Sequence, residues 1–148
     1  MNFSFSAKLV YGIIAMENVG KGNGAPVRCL DIAKRYPGIS PFFLEQIFRV
    51  LRRKGFVRSL RGPGGGYVLT RSMDKISLKD IVMAFESPTR KDRYLPEGVR
   101  EIEREVRAKV LSSLEGMTLE DINNTDTRDT PFSRQIRQWS ESNHGLRA

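Results

Sequence analysis

The sequence predicts a mainly α-helical chain that contains one small β-hairpin. Three segments with helical patterning and marked ends come first, within residues 6–55. Two short β-prone runs then enclose the glycine-rich stretch "RGPGGG", and further helical segments follow. Apolar residues recur every three or four positions in the helical segments, whereas the runs beside the glycines are short and rich in β-forming residues. This order of elements is typical of a winged helix-turn-helix domain followed by a long helix.

The first two helices are predicted mainly from their ends. Ser6 is a suitable N-cap for the segment "SAKLVYGIIAMENVG", and the glycines from Gly20 onward end it. "LDIAKRYPG" is a shorter helical segment, which Pro37 and Gly38 stop.

The third helix has both of its boundaries marked and two distinct faces. Ser40 is placed as its N-cap, Pro41 at its first helical position and Gly55 just past its end. The apolar residues spaced for the core are Leu44, Ile47, Phe48 and Leu51. The opposite face is polar with one aromatic, and it comprises Phe42, Glu45, Gln46, Arg49, Arg52 and Arg53.

The excess positive charge lies in the first half of the chain. Residues 1–72 carry twelve Lys and Arg against three Asp and Glu, a net +9, and residues 73–148 carry thirteen against fourteen, a net −1. A merely soluble basic surface would spread this charge evenly, so the asymmetry favours a polyanionic partner. We expect double-stranded DNA rather than an acidic membrane, because no basic helix has a broad apolar face.

The polar face of the third helix suits the reading of bases in a DNA groove. A glutamine can pair with adenine, a glutamate can accept a hydrogen bond from the cytosine amino group, and Phe42 can contact a thymine methyl group. Arg49, Arg52 and Arg53 are placed to contact phosphates. The alternative, an ordinary solvated helix face, is the commoner meaning of a charge-rich pattern taken alone.

The glycine-rich stretch is predicted to be the wing. A nucleotide-binding loop would need Lys-Ser or Lys-Thr and a helix after its last glycine, whereas here "YVLT", a strand former, follows. A bare tip can approach a phosphate backbone and deliver Arg61 into the minor groove. The predicted contacts of the wing are Arg58, Arg61, Gly62, Gly64, Gly65 and Gly66.

The second half predicts a capped helix, an irregular stretch and a long helix. Ser77 caps "ISLKDIVMAFE", and the charged stretch "TRKDRYLPEG" separates it from a helix over Glu97–Glu115. A narrow apolar stripe along that helix predicts pairing with a second copy rather than folding back on its own domain. The stripe consists of Val99, Ile102, Val106, Val110 and Leu114.

We therefore divide the chain into three regions. Residues 1–86 form the predicted winged helix-turn-helix domain, and residues 87–122 form an effector-loop region with the dimerisation helix and the capped turn "MTLEDI". Residues 123–148 form a polar tail that is either disordered or docked through Phe132, Ile136 and Trp139.

The motifs also resemble those of a known family. "ISPFFLEQIFRVLRRKGFVRSLRGPGGGYVL" is similar to the signature of the Rrf2-type bacterial transcription regulators, and "YGIIAM", "DIAKRY" and "SLKDIVMAFE" extend the likeness over roughly residues 5–122. The resemblance implies a homodimer that binds semi-palindromic operators. It also implies DNA contacts by Ser40, Phe43, Glu45, Gln46 and Arg61, with Phe43 at a position usually held by tyrosine.

Many members of this family hold an iron–sulfur cluster on three cysteines before the long helix. Here that stretch is "ESPTRKDRYLPEGVRE", which contains neither cysteine nor histidine, so we expect no cofactor and no metal. The single cysteine, Cys29, is either a redox-sensing thiol beside Arg28 at a helix start or an inert packed side chain. An unidentified small molecule or protein effector remains open, with "TRKDRYLPEG" as its expected contact region.

Two functions follow from these observations. The first is a dimeric, sequence-specific DNA-binding regulator, expected to be a repressor. The second is a protein-binding module that retains the fold and presents its basic face to an acidic partner. An enzyme is not expected, because the lone histidine, His144, leaves little acid–base chemistry. No stretch has the pattern of a membrane span or secretion signal, so we expect a cytoplasmic protein without a membrane partner.

Overall fold

A computed structural model of the chain describes residues 5–86 and 94–125, and the side chains as far as Asn124. In these residues the fold is mainly helical with one antiparallel hairpin, which confirms the predicted fold class. The elements are α1 (Ala7–Lys21), α2 (Cys29–Arg35), α3 (Pro41–Arg53), β1 (Val57–Leu60), β2 (Gly66–Leu69), a 3₁₀ turn (Met73–Lys75), α4 (Leu78–Phe85), α5 (Glu97–Leu114) and α6 (Leu119–Thr125). Part of the predicted effector stretch and most of the polar tail lie outside the described residues.

The three predicted serine caps are present. The Ser6 hydroxyl oxygen accepts a hydrogen bond from the Leu9 N–H at 3.3 Å, and Ser40 accepts one from Phe43 N–H at 3.1 Å. Ser77 accepts one from Lys79 N–H at 3.1 Å. Each bond satisfies a backbone donor that a helix start would otherwise leave without a partner.

One hydrophobic core lies between α1, α3, α4 and α6. The predicted core face of α3 is confirmed, since Leu44, Ile47, Phe48 and Leu51 are all buried. Asn18 is one of two polar side chains buried in α1, with Glu17. Asn18 Nδ2 donates to the Ile14 carbonyl at 2.8 Å, and Asn18 Oδ1 accepts from Arg35 at 3.0 Å. The bond from Arg35 joins α1 to α2.

The hairpin is fixed on both of its sides. Val57 is paired with Leu69 and Leu60 with Gly66 in the antiparallel register of β1 and β2. On the other edge of β2, Val27 and Tyr67 exchange two backbone hydrogen bonds of 3.0 and 2.9 Å. The segment before α2 therefore anchors the wing to the helix-turn-helix.

The chain returns to the core after α5. The Leu119 N–H donates to the Ile76 carbonyl and Leu78 N–H to the Met117 carbonyl, both at 2.9 Å. Leu119 and Ile122 of α6 lie in the same core as α1 and α3, although the sequence placed α6 with the dimerisation region. The division of the chain at residue 86 stays a prediction.

Candidate nucleic-acid interface

The exposed face of α3 carries most of the residues predicted to read DNA. Phe42 is 75% exposed, and Ser40, Glu45, Arg49, Arg52 and Arg53 are also exposed. Gln46 is half-buried. Helical spacing alone places these side chains together, because positions three and four apart share a face.

Phe43 differs from the other predicted contacts on α3. Its side chain is half-buried, and its ring meets the Tyr11 ring edge-on, with 5.0 Å between centroids. The structure therefore places Phe43 against α1 and the core, where its ring contributes to packing. The ring is only partly accessible, and the DNA contact implied for this position by the resemblance stays a prediction.

Four exposed arginines on α3 and the wing are not paired with an acidic side chain among the described residues. In the described part of the chain, Arg49, Arg53, Arg58 and Arg61 are exposed and form neither an ion pair nor a hydrogen bond. The arginines of α5 behave differently: Arg104 pairs with Glu97 and Arg107 with Glu86. The positive charge of these four arginines is thus available to an external anion, whereas the arginines of α5 are neutralised by nearby glutamates.

The tip of the wing is a tight turn. The Gly65 N–H donates to the Gly62 carbonyl at 3.0 Å, with Pro63 and Gly64 between them. Gly64 has φ +72°, and proline followed by a residue with positive φ is the pattern of a type II turn. A Cβ at Gly62 or Gly64 would have nothing within 4 Å, so the surface at these two positions is open.

Gly65 and Gly66 are required for a different reason. A Cβ at Gly65 would collide with the Leu60 carbonyl, and one at Gly66 would lie 2.7 Å from the Val27 carbonyl oxygen. These glycines allow the chain's own backbone segments to approach one another. The sequence-based explanation of the glycines, room for a phosphate backbone, therefore does not account for Gly65 and Gly66. It stays a prediction for Gly62 and Gly64, whose positive φ also favours glycine.

One contact joins the wing to the face of α3. The Tyr67 hydroxyl donates to Glu45 Oε2 at 3.1 Å, and the Tyr67 ring stacks on Phe48 at a centroid distance of 4.1 Å. Partial burial and the neighbouring Glu45 carboxylate raise the pKa of Tyr67 to about 12. Tyr67 was not among the site residues predicted from the sequence, in which its only signal is an aromatic residue directly after the glycines.

The environment of Cys29 favours the inert interpretation over the redox one. Its side chain is only 6% exposed, and burial raises the pKa of the thiol well above its usual range. A hydrogen bond to the Glu45 carboxylate raises that pKa further, as does the repulsion between this carboxylate and a thiolate. Arg28, which was expected to stabilise a thiolate, forms a hydrogen-bonded ion pair with Asp31 instead.

The predicted stripe of α5 is largely exposed. Val99, Ile102 and Val106 are 43%, 62% and 56% exposed, respectively. Val110 and Leu114 are half-buried, and Leu114 packs against the chain's own core. The stripe is therefore divided: its last residue serves the fold, and its first three form an apolar surface without a partner within the described residues.

Comparisons with known proteins agree with this architecture. The profile of the Rrf2 family, described as iron-dependent transcriptional regulators, matches residues 5–125. The chain belongs to the Rrf2 family. It is 31% identical to the HTH-type transcriptional regulator IscR of Cronobacter sakazakii, over 93% of this chain and 89% of that protein. These relatives are transcriptional regulators and not enzymes, and this chain is a transcriptional regulator with the winged-helix fold.

Solved structures give the same relationship. IscR of T. potens superimposes with a TM-score of 0.70 at 31% identity, covering 88% of this chain and 93% of its own. CymR, the global cysteine regulator of B. subtilis, superimposes with a TM-score of 0.67 at 33% identity, covering 83% and 98%. No helix among residues 5–86 and 94–125 is long and apolar enough to cross a membrane.

The iron dependence in the family description does not fit the residues of this chain. No three His, Cys, Asp or Glu side chains come together at a metal-binding distance in the parts of the chain that the structure describes. The chain has one cysteine, and it is buried between α2 and α3 beside a carboxylate. A cluster bound through several thiolates cannot be assembled from this set.

Proposed function

We propose that this Rrf2-family protein is a homodimeric repressor that recognises a semi-palindromic operator through α3 and the wing. The observation that carries the proposal is the set of four exposed arginines, Arg49, Arg53, Arg58 and Arg61, without counter-charges in the described structure. Phosphate groups are the natural partners of such guanidinium groups, which bind them through two parallel hydrogen bonds.

Within this face we assign different roles to the two ends of α3. Phe42, Glu45 and Gln46 lie in its first two turns, the part of a recognition helix that contacts base edges in the major groove. Arg49, Arg52 and Arg53 lie nearer its C-terminal end and contact phosphates. In the wing, Arg61 enters the minor groove, Arg58 supports the contact from β1, and the open glycines let the tip approach the backbone.

A second copy of the chain covers the exposed residues of α5. Val99, Ile102 and Val106 give a narrow apolar seam, and paired polar side chains surround it. Two helices that pair along such a seam are related by a two-fold axis, so the two copies of α3 read two half-sites with the same symmetry. The protein represses transcription by occupying promoter DNA in the cytoplasm, and an effector that contacts residues 89–98 is the expected control.

The proposal is tested by fluorescence anisotropy with a labelled duplex from the region upstream of the protein's own coding sequence and a shuffled duplex of the same composition. We expect tighter binding to the upstream duplex and a steep loss of affinity as salt increases. Arg61→Ala should weaken binding to DNA and reduce its salt dependence, because one cation per subunit is removed from the minor groove. Arg104→Ala, which removes an arginine already paired with Glu97, is the matched control and should change neither.

Two results would overturn the proposal. Equal affinity of Arg61→Ala and the wild type at every salt concentration would remove the wing from the interface. Absence of any preference among duplexes, together with salt-sensitive binding of an acidic polypeptide, would instead favour the protein-binding module.

A further inference from the structure

Tyr67 is held in place from several directions. Its backbone pairs with Ser59 on one side and with Val27 on the other, and its ring stacks on the fully buried Phe48, with 8° between the ring planes. The hydroxyl at the end of this ring therefore has little freedom of position. It donates to Glu45 Oε2 at 3.1 Å across 22 residues of sequence.

Glu45 has an obvious competing partner. Arg49 follows it by four positions on α3, the spacing at which a glutamate and an arginine pair best along a helix. Among the described residues no Glu45–Arg49 ion pair forms, and the carboxylate points to the wing instead. Both the Tyr67 hydroxyl and the Cys29 thiol hydrogen-bond to this carboxylate, and Arg49 has no acidic partner in the described part of the chain.

The held carboxylate can still accept hydrogen bonds from a ligand. Glu45 remains exposed, and an ionised carboxylate offers about four lone-pair sites, of which the contacts with Tyr67 and the Cys29 thiol leave about two. A cytosine amino group needs such an acceptor at a fixed place in the groove. A freely rotating glutamate would have to be ordered at each binding event, which lowers affinity for the correct base.

We propose that Tyr67 is a positioning residue for base selection: its hydroxyl fixes the Glu45 carboxylate against the wing for hydrogen bonding to cytosine, and diverts it from Arg49. The hydroxyl is a donor at physiological pH, as is any tyrosine with an ordinary pKa of about 10, and burial together with Glu45 raises the pKa of Tyr67 further, to about 12. This inference rests on the proposed DNA-binding function. It adds a residue outside α3 that determines specificity without contacting a base.

The test is selection from a pool of duplexes with a random central segment, followed by affinity measurements on single base-pair variants of the selected site. Wild type, Glu45→Gln and Tyr67→Phe are compared, and Tyr36→Phe is the matched control for loss of a tyrosine hydroxyl elsewhere. Glu45→Gln identifies the base pair that Glu45 reads. Tyr67→Phe should lose discrimination at that same base pair, on the order of tenfold, and Tyr36→Phe should not.

Two combined variants separate positioning from folding. The double variant Glu45→Gln, Tyr67→Phe should lose no more discrimination than Glu45→Gln alone, because the two changes act on one contact. Arg49→Gln combined with Tyr67→Phe should regain part of the lost discrimination, since the competing partner is gone. If Tyr67→Phe fails to fold, Glu45→Asp supplies the test, because the shorter carboxylate no longer reaches the hydroxyl and should show the same loss.

The outcomes are distinguishable. If the wild type enriches no sequence, the proposed function itself fails, and this inference fails with it. If the wild type enriches a site but Tyr67→Phe keeps full discrimination at the Glu45-dependent position, only the inference is overturned. A loss of affinity that is equal for all duplexes would show a structural role for Tyr67 and would also overturn it.

Discussion

The Tyr67 hydroxyl and the Glu45 carboxylate, 3.1 Å apart, join the wing to the exposed face of the recognition helix. Directly beneath this contact, the Tyr67 ring stacks on Phe48, which is fully buried in the core. The wing is therefore attached to α3 by one polar and one apolar contact from a single side chain. The Tyr67 side chain therefore fixes the position of the wing relative to the exposed face of α3.

Removal of the Phe48 ring should destabilise the protein strongly. Phe48→Ala deletes a buried aromatic side chain and its stack on Tyr67, so we expect a loss of about 3–5 kcal/mol in the free energy of unfolding. Phe42→Ala, on the exposed face of the same helix, should change it by less than about 0.5 kcal/mol. Chemical denaturation of both variants measures the difference. Similar losses for the two would contradict the assigned faces of α3.

Two glycine substitutions should act in opposite directions. Gly66→Ala places a Cβ 2.7 Å from the Val27 carbonyl at φ +156°, so it should lower the free energy of unfolding. The cost should be about 1 kcal/mol or more, because both the backbone conformation and the close contact oppose it. Gly98→Ala in α5 meets nothing within 4 Å and should raise stability by roughly 0.5–1 kcal/mol. Thermal unfolding of both variants checks the pair.

The exposed stripe of α5 predicts a dimer that a single charge disrupts. Ile102 is 62% exposed in one chain, so Ile102→Glu should leave the folded subunit intact while it separates the dimer. Ala108→Glu adds the same charge on the other side of α5 and should not. Sedimentation equilibrium measures the oligomeric state. A monomeric wild type at micromolar concentration, or an Ile102→Glu variant that stays dimeric, would contradict the assigned interface.

The raised pKa of the Cys29 thiol determines the direction in which the free energy of unfolding changes with pH. The folded protein favours the neutral thiol, so its contribution to stability is present below the pKa of an unfolded cysteine, about 8.5, and is lost as pH rises above it. The free energy of unfolding should fall above that pH in the wild type and fall less in Cys29→Ala. Alkylation of native Cys29 at pH 8 should be slow and should become fast after unfolding. Rapid alkylation of the native protein would restore the redox hypothesis.

The sequence predicted those parts of the fold that depend on local patterns. Serine caps, the proline at the start of α3 and the apolar spacing of Leu44, Ile47 and Phe48 were sufficient for the helices and the core face. The glycine stretch was sufficient for the hairpin. These features require only information within a few residues of chain.

Local sequence patterns could not predict the contacts between distant segments of the chain. The Tyr67–Glu45 bond, the Val27–Tyr67 pairing and the packing of Phe43 on Tyr11 join segments from 22 to 40 positions apart. The Val27–Tyr67 pairing changed the role of Gly66, and the Tyr11 contact changed the expected exposure of Phe43. The burial of Cys29 beside Glu45 changed the interpretation of its reactivity. In each case the deciding quantity was proximity to another element, which composition and spacing do not encode.

The surface that contacts DNA can be measured directly by NMR on isotope-labelled protein titrated with the selected duplex. We expect shifts in the amide and arginine side-chain signals of residues 40–53 and 60–66, with the signals of Arg49 and Arg61 among the largest. The side-chain signals of Arg104, which is paired within α5, should stay unchanged. Shifts confined to α5 and α6, with residues 40–66 unaffected, would contradict the assignment of the interface.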